Sequence, residues 1–171
     1  MVCELLTSAG FELISTELFS DFEALHERHM DLCAIEACEV HAVWRAAHQR
    51  RYDPRTLALL DRSEDLDQSR RALVRASPLE LRASLETLTA KEGVDAWLAP
   101  GATGCAPMGI AETGDGRLNG PWTHAGVPTL SIPAGRNADG LPIGLQLAGR
   151  FMKDATLLDD AEFLDRVIRG F

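Results

Sequence analysis

Lysine is scarce in this sequence: of 17 Lys and Arg residues, only Lys91 and Lys153 are lysines. Any chemistry that needs a lysine base therefore has two positions to draw on. Long apolar runs are missing as well. A bilayer-spanning helix needs about 18 apolar residues or more, and the most apolar helical stretch, "LCAIEACEVHAVW", is interrupted by Glu36, Glu39 and His41. The opening "MVCELLTSAG" has no basic leader and carries Glu4 within its apolar part, which argues against a signal peptide. The four cysteines, Cys3, Cys33, Cys38 and Cys105, show no CxxC spacing and read as reduced thiols. A cytoplasmic location without membrane contact is expected. Clustered basic residues are also lacking: the net charge is −9, so no nucleic-acid partner is expected, because phosphate binding needs grouped Lys and Arg. The glycine-rich "GATGCAPMG" and "TGDGRLNG" lack a Walker lysine and a GxGxxG pattern, so they are not phosphate loops.

What is present is globular. A chain of 171 residues, 46% hydrophobic and 25% charged, reads as a single domain over residues 1–171, and folding at this size hides roughly 70% of the surface. "VCELLTSAG" reads as a helix closed by Gly10; without a cap ahead of it, it looks like the continuation of an earlier segment. "FELISTEL" alternates and predicts a short strand. A helix is expected from an N-cap at Asp21 to Arg50, with Leu25, Leu32, Glu36, Val40, Val43 and Ala47 on one face that is apolar except at Glu36. Asp53-Pro54 starts a new helix, and residues 65–92 predict another, with a bend at Pro78. Three strands follow, "VDAWLAP", "VPTLSIPAG" and "LPIGLQLAGR", with a glycine-rich irregular stretch over 101–117 after the first and the turn "RNADG" between the last two. "DATLLDDAEFLDRVIRG" closes the chain as an amphipathic helix capped by Asp154. The expected class is α/β, a mixed β-sheet covered by helices, with the 21–50 helix across it.

The strands are heavily punctuated. Pro128, Pro133 and Pro142 cannot donate to a ladder and belong at strand ends, bulges or edges. Gly126, Gly135, Gly140, Gly144 and Gly149 permit positive φ or a close backbone approach. Short strands whose ends meet a cleft built of loops are written this way.

Taken in order, "VDAWLAPGATGCAPMG", "TGDGRLNGPWTHAGVPTLSIPAGRNADGLPIGLQLAGR" and "DATLLDDAEFL" resemble the C-terminal half of amidase-signature hydrolases. "IEACEVHAVWRAAHQRRYDPRTLALLDRS" is similar, more loosely, to that family's Glu-containing helix and its following Tyr-x-Pro segment. The resemblance implies hydrolysis of carbon–nitrogen bonds in carboxamides by acyl transfer to water, without metal or organic cofactor. It implies as well a Ser nucleophile, a bridging Ser and a general-base Lys, the serines lying in a Gly-Gly-Ser-Ser-Gly-type loop of the N-terminal half. This sequence has no Ser-Ser pair, and neither lysine matches the position of the base. Acyl transfer needs nucleophile, base and oxyanion donors together, so no catalytic residue is assigned and the chain is expected to be inactive alone. The alternative is a non-catalytic binding or scaffold module, or one component of a split amidase or amidotransferase.

Asn119, Trp122, Thr123 and His124 are the candidate substrate-binding residues, placed in a loop feeding "AGVPTLSIP". The competing reading has Trp122 filling the core and Asn119 satisfying loop backbone. Gln146, in mid-strand, needs hydrogen-bond partners if buried and reads as part of a structural network. His26, His29, Cys33 and Glu36 share a helical ridge but cannot surround a metal from one straight helix, so no metal site is assigned. The cysteines could serve as nucleophiles with His124 but read as buried small hydrophobes. A small amide substrate is expected only at a completed site. The expected partners are a second copy, most simply a two-fold dimer, or a chain supplying the N-terminal half, through a bare sheet edge and apolar face.

Overall fold

A computed structural model describes residues 2–170. The elements run α1 (Val2–Ser8), α2 (Phe22–His48), α3 (Pro54–Glu64), α4 (Gln68–Glu92), β1 (Trp97–Pro100), α5 (Gly120–Ala125), β2 (Thr129–Arg136), β3 (Pro142–Ala148) and α6 (Asp154–Arg169). They fall into two compact units, one of residues 1–20 and 81–171 and one of residues 21–80.

The first unit holds the sheet. Its strand order is β1-β3-β2, and both pairings are antiparallel. The three segments expected to be neighbours are neighbours. β3 lies beside β2 because a tight turn joins them. Asn137 Oδ1 accepts from the backbone N–H of Asp139 and Leu141, and Gly140 takes φ +80°, an Asx turn closed by glycine. The ladder slips between Pro133 and Arg136, where Gly135 takes φ +130°.

Side chains alternate across this sheet. One face carries the rows Leu98–Leu147–Leu130 and Pro100–Leu145–Ile132. It forms an apolar core with Leu157, Ala161 and Leu164 of α6 and Leu6 of α1. Gly149 lets α6 approach the end of β3, since a Cβ there would stand 3.2 Å from Leu157 Cβ. The other face carries the rows Trp97–Ala148–Thr129 and Ala99–Gln146–Ser131. At its Trp97 end it packs on Leu85 of α4 and on Trp122 and Ala125 of α5. Trp97 Nε1 donates to the buried Thr89 hydroxyl at 3.0 Å.

Several expectations change. "FELISTEL" forms no strand: Phe11 to Leu18 join no ladder. Alternation alone supplied no partner strand, and Phe11 stacks at 5.3 Å on Phe163 of α6 instead. Asp21 precedes α2 without capping it, its carboxylate accepting from Arg28 at 3.1 Å. The chain from Gln49 to Arg51 tightens into a 3₁₀ turn. The final helix starts at Asp154 with Lys153 in the capping position. The Asp53-Pro54 start holds, with Asp53 Oδ1 accepting from Arg55 N at 2.9 Å.

The second unit is organised on a buried charge. Asp31 of α2, 3% exposed, accepts from Arg62 Nε of α3 at 2.7 Å and from Arg70 Nε of α4 at 2.8 Å. Arg45 pairs with Asp61 and Glu64, adding a second link between α2 and α3. Inside its unit α2 is therefore tied to α3 and to the start of α4.

Candidate functional site

The polar end of the open sheet face is built by small residues. Gly101 N donates to Gly144 O at 3.0 Å, extending the β1–β3 ladder by one residue. A Cβ on Gly144 would stand 2.7 Å from Ser131 Oγ, so glycine is what allows that hydroxyl to lie across the strand. Ser131 and Thr129 are exposed here.

Gln146 lies in the same row and is 6% exposed. Its Nε2 donates to Asn119 Oδ1 at 2.7 Å. Its Oε1 is buried without a hydrogen-bond partner among the described residues. A buried carbonyl left in that state costs about 1–3 kcal/mol, and this one lies in the same cross-strand row as Ser131.

The four candidate residues do not lie in a loop. Asn119 ends a 3₁₀ turn, Arg117–Asn119, and Trp122, Thr123 and His124 ride on α5. Pro121 in the first turn and Gly126 at the left-handed cap (φ +67°) frame this short helix; such brief proline- and glycine-bounded helices leave little periodicity to read. Trp122 is buried against Phe19, ring centroids 5.3 Å apart, and fills the core. His124 is buried, Thr123 exposed and Asn119 half-buried. The structure thus brings Asn119 to Gln146. Sequence reasoning treated these two separately and missed Ser131; the signal for it was the period of two along β2.

None of the four cysteines is buried or disulfide-bonded: Cys3 and Cys105 are exposed, and Cys33 and Cys38 half-buried. The expectation of buried cysteines fails: Cys3 of α1 and Cys105 of the glycine-rich loop lie at the surface, and α2 leaves Cys33 and Cys38 only partly covered. Cys33 Sγ lies 3.7 Å from His29 Nε2. Burial, with Glu36 nearby, pushes the Cys33 thiol above its ordinary value; burial, with His26 nearby, lowers His29. Both shifts disfavour a thiolate–imidazolium pair. Among the described residues, no three His, Cys, Asp or Glu side chains are placed to hold a metal, and no helix is long and apolar enough to cross a membrane.

The sequence profile of the Amidase family matches residues 114–158, which run from the end of the glycine-rich loop into α6. A solved amidase superposes on 96% of this chain with a TM-score of 0.82 and 27% identity. This chain carries part of the amidase-signature fold. A fatty acid amide hydrolase shares the architecture at a TM-score of 0.80, with 17% identity over 98% of the chain. Among curated sequences, this chain is 43% identical over 84 residues to one component of the glutamyl-tRNA(Gln) amidotransferase of Methylocella silvestris. It is 40% identical over 100 residues to the corresponding component from Roseobacter denitrificans. Those matches cover 44% and 53% of this chain but only 17% and 20% of the relatives. The amidase and the hydrolase are covered over 40% and 35% of their lengths.

Proposed function

We propose that this segment forms one wall of an amide-hydrolysing site, whose nucleophile and base come from residues outside these 171. The reaction is acyl transfer from a carboxamide to water. The carrying observation is Gln146: an acceptor oxygen, buried and unsatisfied among the described residues, fixed by Asn119 beside the exposed Ser131. A carboxamide N–H is a donor that suits it. Asn119 orients the Gln146 amide, and Thr123 lines the approach; Trp122 and His124 support α5 from beneath. Lys91 is exposed at the end of α4 and pairs with Glu92 at 3.3 Å, a poor setting for a base. Relatives named as a component of an amidotransferase fit a reading in which the site is completed by a further chain or a further part of the same one.

The test is ammonia release from short aliphatic and aromatic carboxamides. The purified chain alone should give no turnover. Activity should emerge on adding a separate chain that carries a Gly-Ser-Ser-Gly loop and its lysine, and Gln146→Leu should reduce it. Turnover by the chain alone that survives repurification and is abolished by a serine-directed inhibitor would reject the proposal.

A further inference from the structure

A cavity of about 260 Å³ lies between the start of α6 and the strand ends beside it. Val94, Gly149 and Leu157, all buried or half-buried, make its apolar floor. Its rim is charged: Asp95 and Lys153 are exposed and Asp160 half-buried. Lys153, Leu157 and Asp160 stand at spacings of four and three, so they share one face of the helix. The seven residues from Lys153 to Asp160 span about 10 Å along the axis. Burial first, and then Asp95 and Asp159, raise the Asp160 carboxyl above its ordinary value, which puts Asp95 at the Asp160 end. The two ends of the cavity are thus of opposite sign. They do not neutralise each other. Among the described residues, Asp95, Lys153 and Asp160 make no ion pair, and Arg150, also on the rim, is drawn to Glu86 at 2.8 Å.

We propose that this cavity binds a small ω-amino carboxylate. Its ammonium pairs with Asp95 and Asp160, its carboxylate with Lys153, and its methylenes lie over Val94 and Leu157. The distribution of charge selects this class. A simple amine would leave Lys153 unpaired, and a simple carboxylate would leave two carboxylates facing each other. A diamine or a dicarboxylate would be repelled at one end. An α-amino acid carries both charges on one carbon and cannot reach both ends. Charged partners at each end give short, strong hydrogen bonds, and the floor removes methylene surface from water. The volume suits so small a molecule, being just under the roughly 300–1,000 Å³ of sites for drug-sized ligands. Leu157 packs on the sheet face of Leu98, Leu147 and Leu130, whereas Gln146 lies on the other face. The inference is therefore independent of the amide-hydrolysing reading and uses none of its residues.

Backbone amide NMR on the full chain, titrated with 5-aminopentanoate to about 10 mM, tests it, because so small a ligand reaches only the millimolar class. The expected result is a saturable shift of the Gly149, Thr156 and Leu157 amides. Pentanoate, pentylamine and glycine should each bind at least about threefold more weakly, since each forgoes one end of the cavity. Lys153→Gln and Asp160→Asn should each weaken 5-aminopentanoate by at least about threefold. Lys91→Gln, which removes the same charge from the exposed end of α4, should leave it unchanged. Thermal melts establish that the three variants are folded. No saturable shift by about 10 mM, equal binding of the four probes, indifference to Lys153→Gln and Asp160→Asn, or an equal loss with Lys91→Gln would each overturn the proposal.

Discussion

Gln146 and Asn119 share one hydrogen bond, 2.7 Å long, between the centre of the sheet and the turn that launches α5. The two ends are unequal: Gln146 is buried and Asn119 half-buried. Asn119→Ala leaves both amide atoms of a buried glutamine unsatisfied and should cost about 1–3 kcal/mol. Gln146→Leu removes the unsatisfied oxygen and leaves an asparagine that water can reach, so it should cost less. Urea unfolding of both variants checks the order. A larger loss for Gln146→Leu would mean that the buried oxygen has a donor.

Asp31 should be the most sensitive charged position in the helical unit. Its carboxylate is clamped by Arg62 and Arg70, and Asp31→Ala would leave two guanidinium groups facing each other. Breaking a fully buried pair costs about 3–5 kcal/mol; these arginines reach solvent, so about 2–3 kcal/mol is expected. Arg75→Ala, which removes an exposed partner of Glu39, should change stability by no more than about 1 kcal/mol. Thermal melts of the two variants make the comparison.

Gly126 has two reasons to be glycine. Its φ is +67°, and a Cβ would stand 2.8 Å from the Arg82 guanidinium, whose Nε donates to Ala125 O at 2.7 Å. The arginine tip can move, so the backbone term dominates. Gly126→Ala should cost about 1–2 kcal/mol, and Gly126→Asn less, because Asn tolerates the left-handed region. Equal losses in denaturant titrations would contradict this assignment.

Two carboxylates should shift stability with pH in opposite directions. Burial first, and then Asp95 and Asp159, raise the Asp160 carboxyl above its ordinary value. Such a group carries no penalty while protonated, below its unfolded value, and loses stability as pH rises through its folded value. Asp160→Asn should therefore raise the melting temperature at pH 7 and have no effect well below the usual carboxylate range. Glu86 is held below its ordinary value: partial burial opposes this, but hydrogen bonds from Arg150 and from Phe151 N prevail. Its contribution is present above the unfolded value and fades as pH falls through the folded one, so Glu86→Gln should destabilise at pH 7 and be neutral in acid. Melting curves from neutral pH into acid read both signs.

By itself, the sequence determined the elements whose signals are local. The runs around Leu98, Leu130 and Leu145, bounded by Pro100, Pro128 and Pro142, marked three strands, and Asn137 with Gly140 marked the turn that pairs two of them. The motif from Asn119 to Arg150 carried the family resemblance, because it strings together many turn- and face-specific choices in order. Tertiary structure decided what depends on a neighbour. Residues 11–18 have strand alternation but no strand beside them, and a ladder needs the backbone of two strands. α5 is too short for periodicity to announce it. Nothing around Asp31 in the sequence signalled that arginines 31 and 39 positions away would close on it. Leu25 and Val43 are alike in sequence, apolar and on one helical face, yet one is buried and the other bare. Helical spacing fixes direction along a face; only the packing of other elements decides where along it the cover stops.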